Sequence, residues 1–304
     1  MINHLDCYQK VKKKCFSFIN LQETKKEKFK NKEKMIKSFL IPICFWINKN
    51  KPQNKTFIIG LDGGQGTGKT TISSLIRLIL TTYFKLNVFK VSIDDFYRTR
   101  KERIKLSKSK HPLLLTRGVP GTHDVDMMNK LFSNVKKKTF NSMVIPKFDK
   151  SIDDRSSKNK WIKVNKKPNV VIFEGWCVGV TPQKKKDLID PINKLEKEKD
   201  KKRIWRSRVN KELIEKYQKI FNLIDKLIFL KVPSFKYVFK WRLLQEKKLR
   251  IISKGKKTMS DEEVKNFTMF YERLTKHMLN NLYRKTDTVI NIDTKHRLKS
   301  IKFN

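Results

Sequence analysis

Five stretches of the chain are dominated by apolar residues, and each is bounded by turn or polar residues. They are TFIIGLDG (56–63), LNVFKVSID (86–94), PNVVIFEG (168–175), DKLIFLKV (225–232) and DTVINID (287–293). The third is apolar throughout, which predicts a strand buried on both faces. Between these runs the period changes from strand-like to helical. TTISSLIRLILTTYF (70–84) repeats apolar residues at Ile72, Leu75, Ile76, Ile79 and Leu80, one face of a helix. VNKELIEKYQKIFNLI (209–224) has the same period. MSDEEVKNFTMFYERLTKHML (259–279) opens on Ser260 and Glu263, the spacing of a capping box. Strands that alternate with helices predict an α/β fold: a mostly parallel, five-stranded core sheet with right-handed crossovers and helices on both faces.

Elsewhere the pattern is weaker. Residues 1–34 are lysine-rich with scattered apolar positions and read as a basic extension, free to move, in which ETKKEKFKNKEK (23–34) is a solvated or frayed helix. Residues 35–49 predict a short helix or pair of turns with one buried face. The domain proper spans 35–304. Two insertions interrupt it: a polar one at about 97–165, suited to substrate binding, and a charge run that begins at 182 and reads as surface helix and loop. A helix at about 234–254 follows the fourth strand directly.

Charge first suggests nucleic acid: 72 Lys and Arg stand against 29 Asp and Glu, a formal net charge of +43. Only 14 of the 72 are arginine, the side chain suited to forked recognition of phosphate and base edges. The lysines are spread along the chain rather than clustered, so no specific nucleic-acid partner is expected. Cys7, Cys15, Cys44 and Cys177 form no CxxC pair and predict free thiols in a reducing compartment. The longest strongly apolar run, FLIPICFWI (39–47), is too short to span a bilayer. A soluble, cytoplasmic protein without a membrane partner is the expectation.

The chemistry starts after the first strand. Gly63, Gly64, Gln65, Gly66, Thr67, Gly68, Lys69 and Thr70 carry the spacing G-x-x-x-x-G-K-T between a strand and a helix, a phosphate-binding loop. Its amides can wrap a β-phosphate, Lys69 can reach the β- and γ-phosphates, and the Thr70 hydroxyl can ligate Mg²⁺. Thr71 follows at the helix N-terminus, whose dipole favours the same anion. ATP and Mg²⁺ are the implied cofactors. Glu174 closes the third strand, where a carboxylate faces the ligand crevice and can hold Mg²⁺ directly or through water.

In SIDDFYRTR (92–100), Asp94 or Asp95 can face the crevice as acceptor of a hydroxyl proton; alternation forbids both. No NKxD-type base-reading motif accompanies the loop, which excludes a GTP switch. RGVPGTHDVD (117–126) and IPKFDKSIDDR (145–155) add Arg117, His123, Asp124, Lys147, Asp149 and Arg155, with cations suited to a small anionic substrate. Asp124 equally fits the cap of a following helix. In WRLLQEKKLR (241–250), Arg242 and Arg250 lie about two turns apart on one helix, as a cationic lid or as a solvated basic face.

Taken in order, GxxGxGKTT, SIDDFY, RGxPGTHD, IPxFDKS…DR, FEGWCVG, WRL.QE..LR and MSDEEV resemble the D-glycerate 3-kinase group of plants and cyanobacteria, with its fungal and bacterial relatives. That group lies within the phosphoribulokinase, uridine kinase and pantothenate kinase superfamily of P-loop proteins. The similarity runs from about residue 36 to 295. It implies phosphoryl transfer from ATP to the 3-hydroxyl of D-glycerate. It also implies Asp94 rather than Asp95 as base, Glu174 as the magnesium-linked acid, and Arg242 and Arg250 as lid residues. Asp149 and Arg155 fall where the superfamily contacts substrate, and Tyr97 belongs to the aromatic pair after the base. Arg117 or Arg155 would clamp the substrate carboxylate. A kinase of another small alcohol, such as a nucleoside or pantothenate, is the alternative, and a non-catalytic P-loop protein associated with nucleic acid a more distant one.

Overall fold

The computed structural model describes residues 2–23, 28–252 and 258–304. Parts of two expectations, residues 24–27 of the N-terminal segment and residues 253–254 of the lid segment, lie outside the described residues.

The central sheet comprises β1 (Phe57–Gly63), β2 (Val88–Ser92), β3 (Val170–Gly175), β4 (Lys226–Lys231), β5 (Thr288–Ile292) and β6 (Leu298–Phe303). Their order is β6-β5-β4-β1-β3-β2. The five apolar runs form the five parallel strands. The sixth strand adds an antiparallel edge to β5 through a tight turn. Asp293 builds that turn: its carboxylate accepts the N–H groups of Lys295 and Arg297 at 2.9 Å and the Arg297 Nε–H at 2.8 Å.

The main helices are α1 (Ile2–Asn20), α2 (Ile41–Asn50), α3 (Lys69–Thr82), α4 (Arg100–Ser109), α5 (Val125–Lys136), α6 (Ile204–Glu212), α7 (Phe235–Ile252) and α8 (Asp261–Asn281). Alternation along the strands divides the core in two. Phe57, Ile59 and Leu61 of β1, with Ile172 and Ile228, pack beneath α1, α2 and α3. Ile58, Val91, Phe173 and Phe229 point the other way, beneath α5, α6 and α8. Among the described residues no helix is long and apolar enough to cross a membrane.

One segment differs from its sequence reading. The first 20 residues are not a loose extension: α1 buries Cys7, Val11, Cys15 and Ile19 completely against this core. Full burial of an aliphatic side chain contributes roughly 1.5–3 kcal/mol, enough to hold a lysine-rich helix by its one apolar stripe. Residues 32–50 form one helical segment that passes through a π turn at Ile36–Leu40. Pro42 gives the reason, since it donates no hydrogen bond and crowds the carbonyl one turn earlier.

The charge run after 182 is surface helix and loop as expected, with residues 184–187 and 197–199 exposed, but two of its acids are exceptions. Within it Glu196 and Asp200 are buried, and each is paired. Glu196 takes a forked bond from Arg273 of α8, at 2.7 and 2.6 Å, and Asp200 takes Arg206 of α6 at 2.8 Å. All four cysteines are buried and unbridged.

Candidate active site

The carboxyl ends of β1, β2 and β3 open onto one crevice, the position where an open α/β sheet takes its ligands. The phosphate-binding loop forms its floor between β1 and α3. Gly66 and Gly68 have φ of 75° and 85°, conformations that a side chain disfavours. The Thr67 hydroxyl donates to Gly64 O at 2.8 Å and pins the loop from within. The loop is also covered. A Cβ on Gly66 would lie 2.9 Å from the Trp241 carbonyl carbon and 3.0 Å from Arg242 N, so α7 rests directly on it. Trp241 in turn stacks on His296 of the β5–β6 turn, with ring centroids 4.2 Å apart. The Gln65 side chain reaches the Tyr271 hydroxyl of α8.

At the mouth of the loop the Thr70 hydroxyl donates to Glu174 Oε1 at 3.0 Å. Glu174 is 2% exposed and its second oxygen is buried without a hydrogen-bond partner. A hydroxyl beside a half-satisfied carboxylate is an oxygen donor set that fits Mg²⁺, which takes one or two protein ligands and completes its shell with water and phosphate.

The acids after β2 separate by geometry. The strand ends at Ser92, and Ile93–Phe96 form one 3₁₀ turn. Asp95 folds back to accept Ser92 N–H at 3.4 Å and pairs with Lys147 at 3.3 Å, completing a cap. Asp94 faces the crevice, where Tyr97 donates to Oδ1 at 2.9 Å and Lys150 to Oδ2 at 2.6 Å. Burial alone would raise the Asp94 carboxyl. The lysines Lys150 and Lys69, with both hydrogen bonds, outweigh it and hold the group well below the usual carboxylate range.

The loop at 117–124 is laid against this turn. Arg98 N–H bonds Thr122 O at 2.9 Å and Asp124 N–H bonds Phe96 O at 2.7 Å. Three distant side chains hold it in place. Trp176 donates to Gly118 O at 3.0 Å, Tyr271 donates to Arg117 O at 3.0 Å, and the Tyr217 hydroxyl accepts Gly121 N–H at 3.0 Å. Gly118 is required here, because a Cβ would lie 2.1 Å from the Tyr271 oxygen.

His123 is fully buried between Tyr97, stacked at 4.5 Å, and the Tyr217 hydroxyl, 2.7 Å from Nδ1. Burial pulls its pKa down to about 3. The unfolded chain protonates this histidine below about pH 6.5, whereas the folded protein does not until about pH 3. The unfolded state therefore binds more protons in that window, and His123 makes stability fall as pH falls through it. Urea unfolding between pH 7 and 4 is expected to show that slope, and His123→Gln to flatten it.

The remaining predicted residues divide. Asp124 caps α5, accepting Met127 N–H at 3.1 Å, and also takes Arg155 at 3.0 Å. Arg155 further bonds Tyr97 O at 2.9 Å, so it braces the turn that carries Asp94. Asp149 is engaged by its own turn, through Ser151 N–H at 2.9 Å and Ser151 Oγ at 2.5 Å. Arg117 pairs with Asp153 and lies over the Phe148 ring. Arg242, with Glu246 at 2.8 Å, stays beside the phosphate loop. Arg250 is taken up elsewhere, bonding Met259 O at 2.9 Å and Asp261 at 2.7 Å, and so ties the end of α7 to the start of α8. Sequence reasoning did not single out Lys150, Asp153, Trp176, Tyr217 or Tyr271. Lys150 lies inside the IPKFDKS stretch, but one lysine among so many carries no contrast.

No family model matches the chain. It is 38% identical over 230 residues to an uncharacterised kinase of Schizosaccharomyces pombe, covering 73% of this chain and 80% of that protein. It is 30% identical over 265 residues to the chloroplastic D-glycerate 3-kinase of Arabidopsis thaliana, covering 81% of this chain and 55% of the plant protein. Among solved structures, a D-glycerate 3-kinase from Cryptococcus neoformans aligns with a TM-score of 0.70 over 88% of this chain and 97% of that one. At 23% identity that last likeness is one of fold.

Proposed function

The chain belongs to the D-glycerate 3-kinase family of uridine kinase-like P-loop kinases, and from that premise we propose that it transfers the γ-phosphoryl group of ATP to the 3-hydroxyl of D-glycerate. The observation that carries this reading is Asp94. An ionised carboxylate stands in the crevice within the field of the phosphate-loop lysine, with an arginine on the adjoining loop.

The chain's own groups supply each part of the reaction. Lys69 and the loop amides hold the ATP phosphates. Thr70 and Glu174 would hold Mg²⁺, which when bound offsets negative charge on the β- and γ-phosphates. Asp94 takes the proton of the acceptor hydroxyl as the new O–P bond forms and the bond to the bridging β-phosphate oxygen breaks, releasing ADP. Arg117 pairs with the acceptor carboxylate by exchanging its Asp153 partner, which is about one-third exposed. Arg155 is less suited, since its Nε and one terminal nitrogen already bond Tyr97 O and Asp124. Arg242 adds positive charge above the loop.

A coupled ADP-release assay over D-glycerate, L-glycerate, uridine and pantothenate tests the substrate. Stimulation by D-glycerate alone is expected. Stimulation by uridine or pantothenate instead would remove the hydroxy-acid reading and leave the kinase.

A further inference from the structure

Lys150 touches Asp94 in the crevice, and its placement is specific. Phe148–Asp149 pairs with Asp154–Arg155 in a two-stranded hairpin, and Lys150 stands in the turn between them. That turn is braced without any help from Lys150. Asp149 holds Ser151, Arg103 holds Asp153 O at 2.5 Å and the Asp153 carboxylate at 3.0 Å, and Asp154 accepts Arg100 N–H at 3.2 Å. Arg155 closes the far strand onto Tyr97 O and Asp124. The turn therefore delivers one long cationic side chain over the crevice, where Nζ meets Asp94 Oδ2 at 2.6 Å while most of the side chain stays exposed.

We propose that Lys150 is a positioning residue for the base: it fixes the Asp94 carboxylate in one orientation and yields Oδ2 to the acceptor hydroxyl when substrate enters. This rests on the reading of Asp94 as base. A surface ion pair would be worth little, but Asp94 has few other charges around it. The groups that face it are Lys69 from α3, Tyr97 on its own turn, His123 from the 117–124 loop, Cys177 after β3 and Tyr271 of α8. Burial keeps His123 neutral and pushes Cys177, Tyr97 and Tyr271 up, so none of these four is charged at neutral pH. Beyond Asp94, Lys150 also lies within the fields of Arg117 and Glu174. Lys69 is the second lysine whose charge acts on Asp94, and in the proposed reaction that charge is taken up by the phosphates. Lys150 is the one that can leave, because its ammonium is held by Asp94 alone in the hydrogen bonds of the crevice while about 61% of its side chain is exposed.

The test compares wild type, Lys150→Met, Lys150→Arg and Asp94→Asn with the acceptor that supports turnover. Lys150→Met is expected to lower kcat/KM for the acceptor about tenfold at neutral pH through lost orientation, with KM for ATP within about twofold if binding energy at the phosphates is untouched. Its acid limb in the pH profile should rise by about one unit or more, the usual effect of removing a close opposite charge. Lys150→Arg should return that limb to the wild-type position. A readout independent of turnover is the carboxyl ¹³C titration of the nucleotide-free protein, with the Asp94 signal assigned by its loss in Asp94→Asn. That signal should titrate at higher pH in Lys150→Met than in wild type.

An Asp94 titration and acid limb unchanged in Lys150→Met overturn the proposal. Failure of the underlying reading looks different: Asp94→Asn would then retain turnover, and the base assignment and the role of Lys150 would fall together.

Discussion

Asp94→Asn is expected to lower kcat by about 10²–10⁴-fold, the usual contribution of a positioned general base, with little change in ATP affinity. The substitution keeps the volume and can still accept the Tyr97 hydroxyl bond that holds Oδ1 at 2.9 Å. It removes the negative charge that takes the hydroxyl proton, and it turns an amide N–H₂ or a neutral oxygen toward the Lys150 ammonium. In the proposed reading the loop amides and Lys69, not Asp94, hold the ATP phosphates, so nucleotide binding measured by titration should stay near the wild-type value. A folded variant with wild-type turnover would show that the proton leaves by another route.

The second large effect is at Gly66. Gly66→Ala places a methyl group 2.9 Å from the Trp241 carbonyl carbon and Cβ, on a backbone with φ of 75°. The left-handed conformation alone costs an L-residue roughly 1–2 kcal/mol. The contact adds to it, because the obstructing atoms are helix backbone and the Cβ fixed to it, and cannot swing aside. Helix α7 must lift, and Arg242 lifts with it. We expect kcat/KM for ATP to fall on the order of 10²-fold, since about 1.4 kcal/mol corresponds to each factor of ten.

Gly68→Ala is the matched comparison. Gly68 has φ of 85° but no heavy atom within 4 Å of a Cβ, so the nucleotide-free protein should lose only the conformational penalty. Chemical denaturation of both apo variants separates the two terms. If Gly66→Ala is no less stable than Gly68→Ala, α7 is not seated on the loop in the working protein.

What the sequence made legible were features that depend on neighbours in the chain. The five parallel strands are apolar runs, α3 has a clean helical period, and the phosphate loop has fixed spacing. Strand β6 was missed because an edge strand needs only one buried face: LKSIKF places lysines where a buried strand would have apolar residues. Helix α1 was missed because two of the four residues it buries completely are cysteine and its apolar face is diluted by lysine. The site's assembly was the least visible part. Trp176 reaches Gly118 across 58 residues, Tyr217 reaches Gly121 across 96, and Tyr271 reaches Arg117 across 154. No local pattern encodes such contacts. The same applies to Arg250, whose helical spacing from Arg242 is real but whose fork is drawn to the start of α8 by Asp261.

The ion pairs inside the body divide the protein's positive charge into two kinds. Arg103, Arg206 and Arg273 are each buried, and each divides its guanidinium between a carboxylate and backbone carbonyls. A guanidinium keeps its proton when dehydrated and presents several donors in a plane; an ammonium does neither. Lysine cannot take over these places, however abundant it is elsewhere. Acylating every lysine would turn this basic surface acidic, because 14 arginines would remain against 29 acids. It would silence Lys69, but the struts at 103, 206 and 273 have no amine to react. The long-range field of the molecule and the framework that carries its crevice are therefore separable properties, written in different side chains.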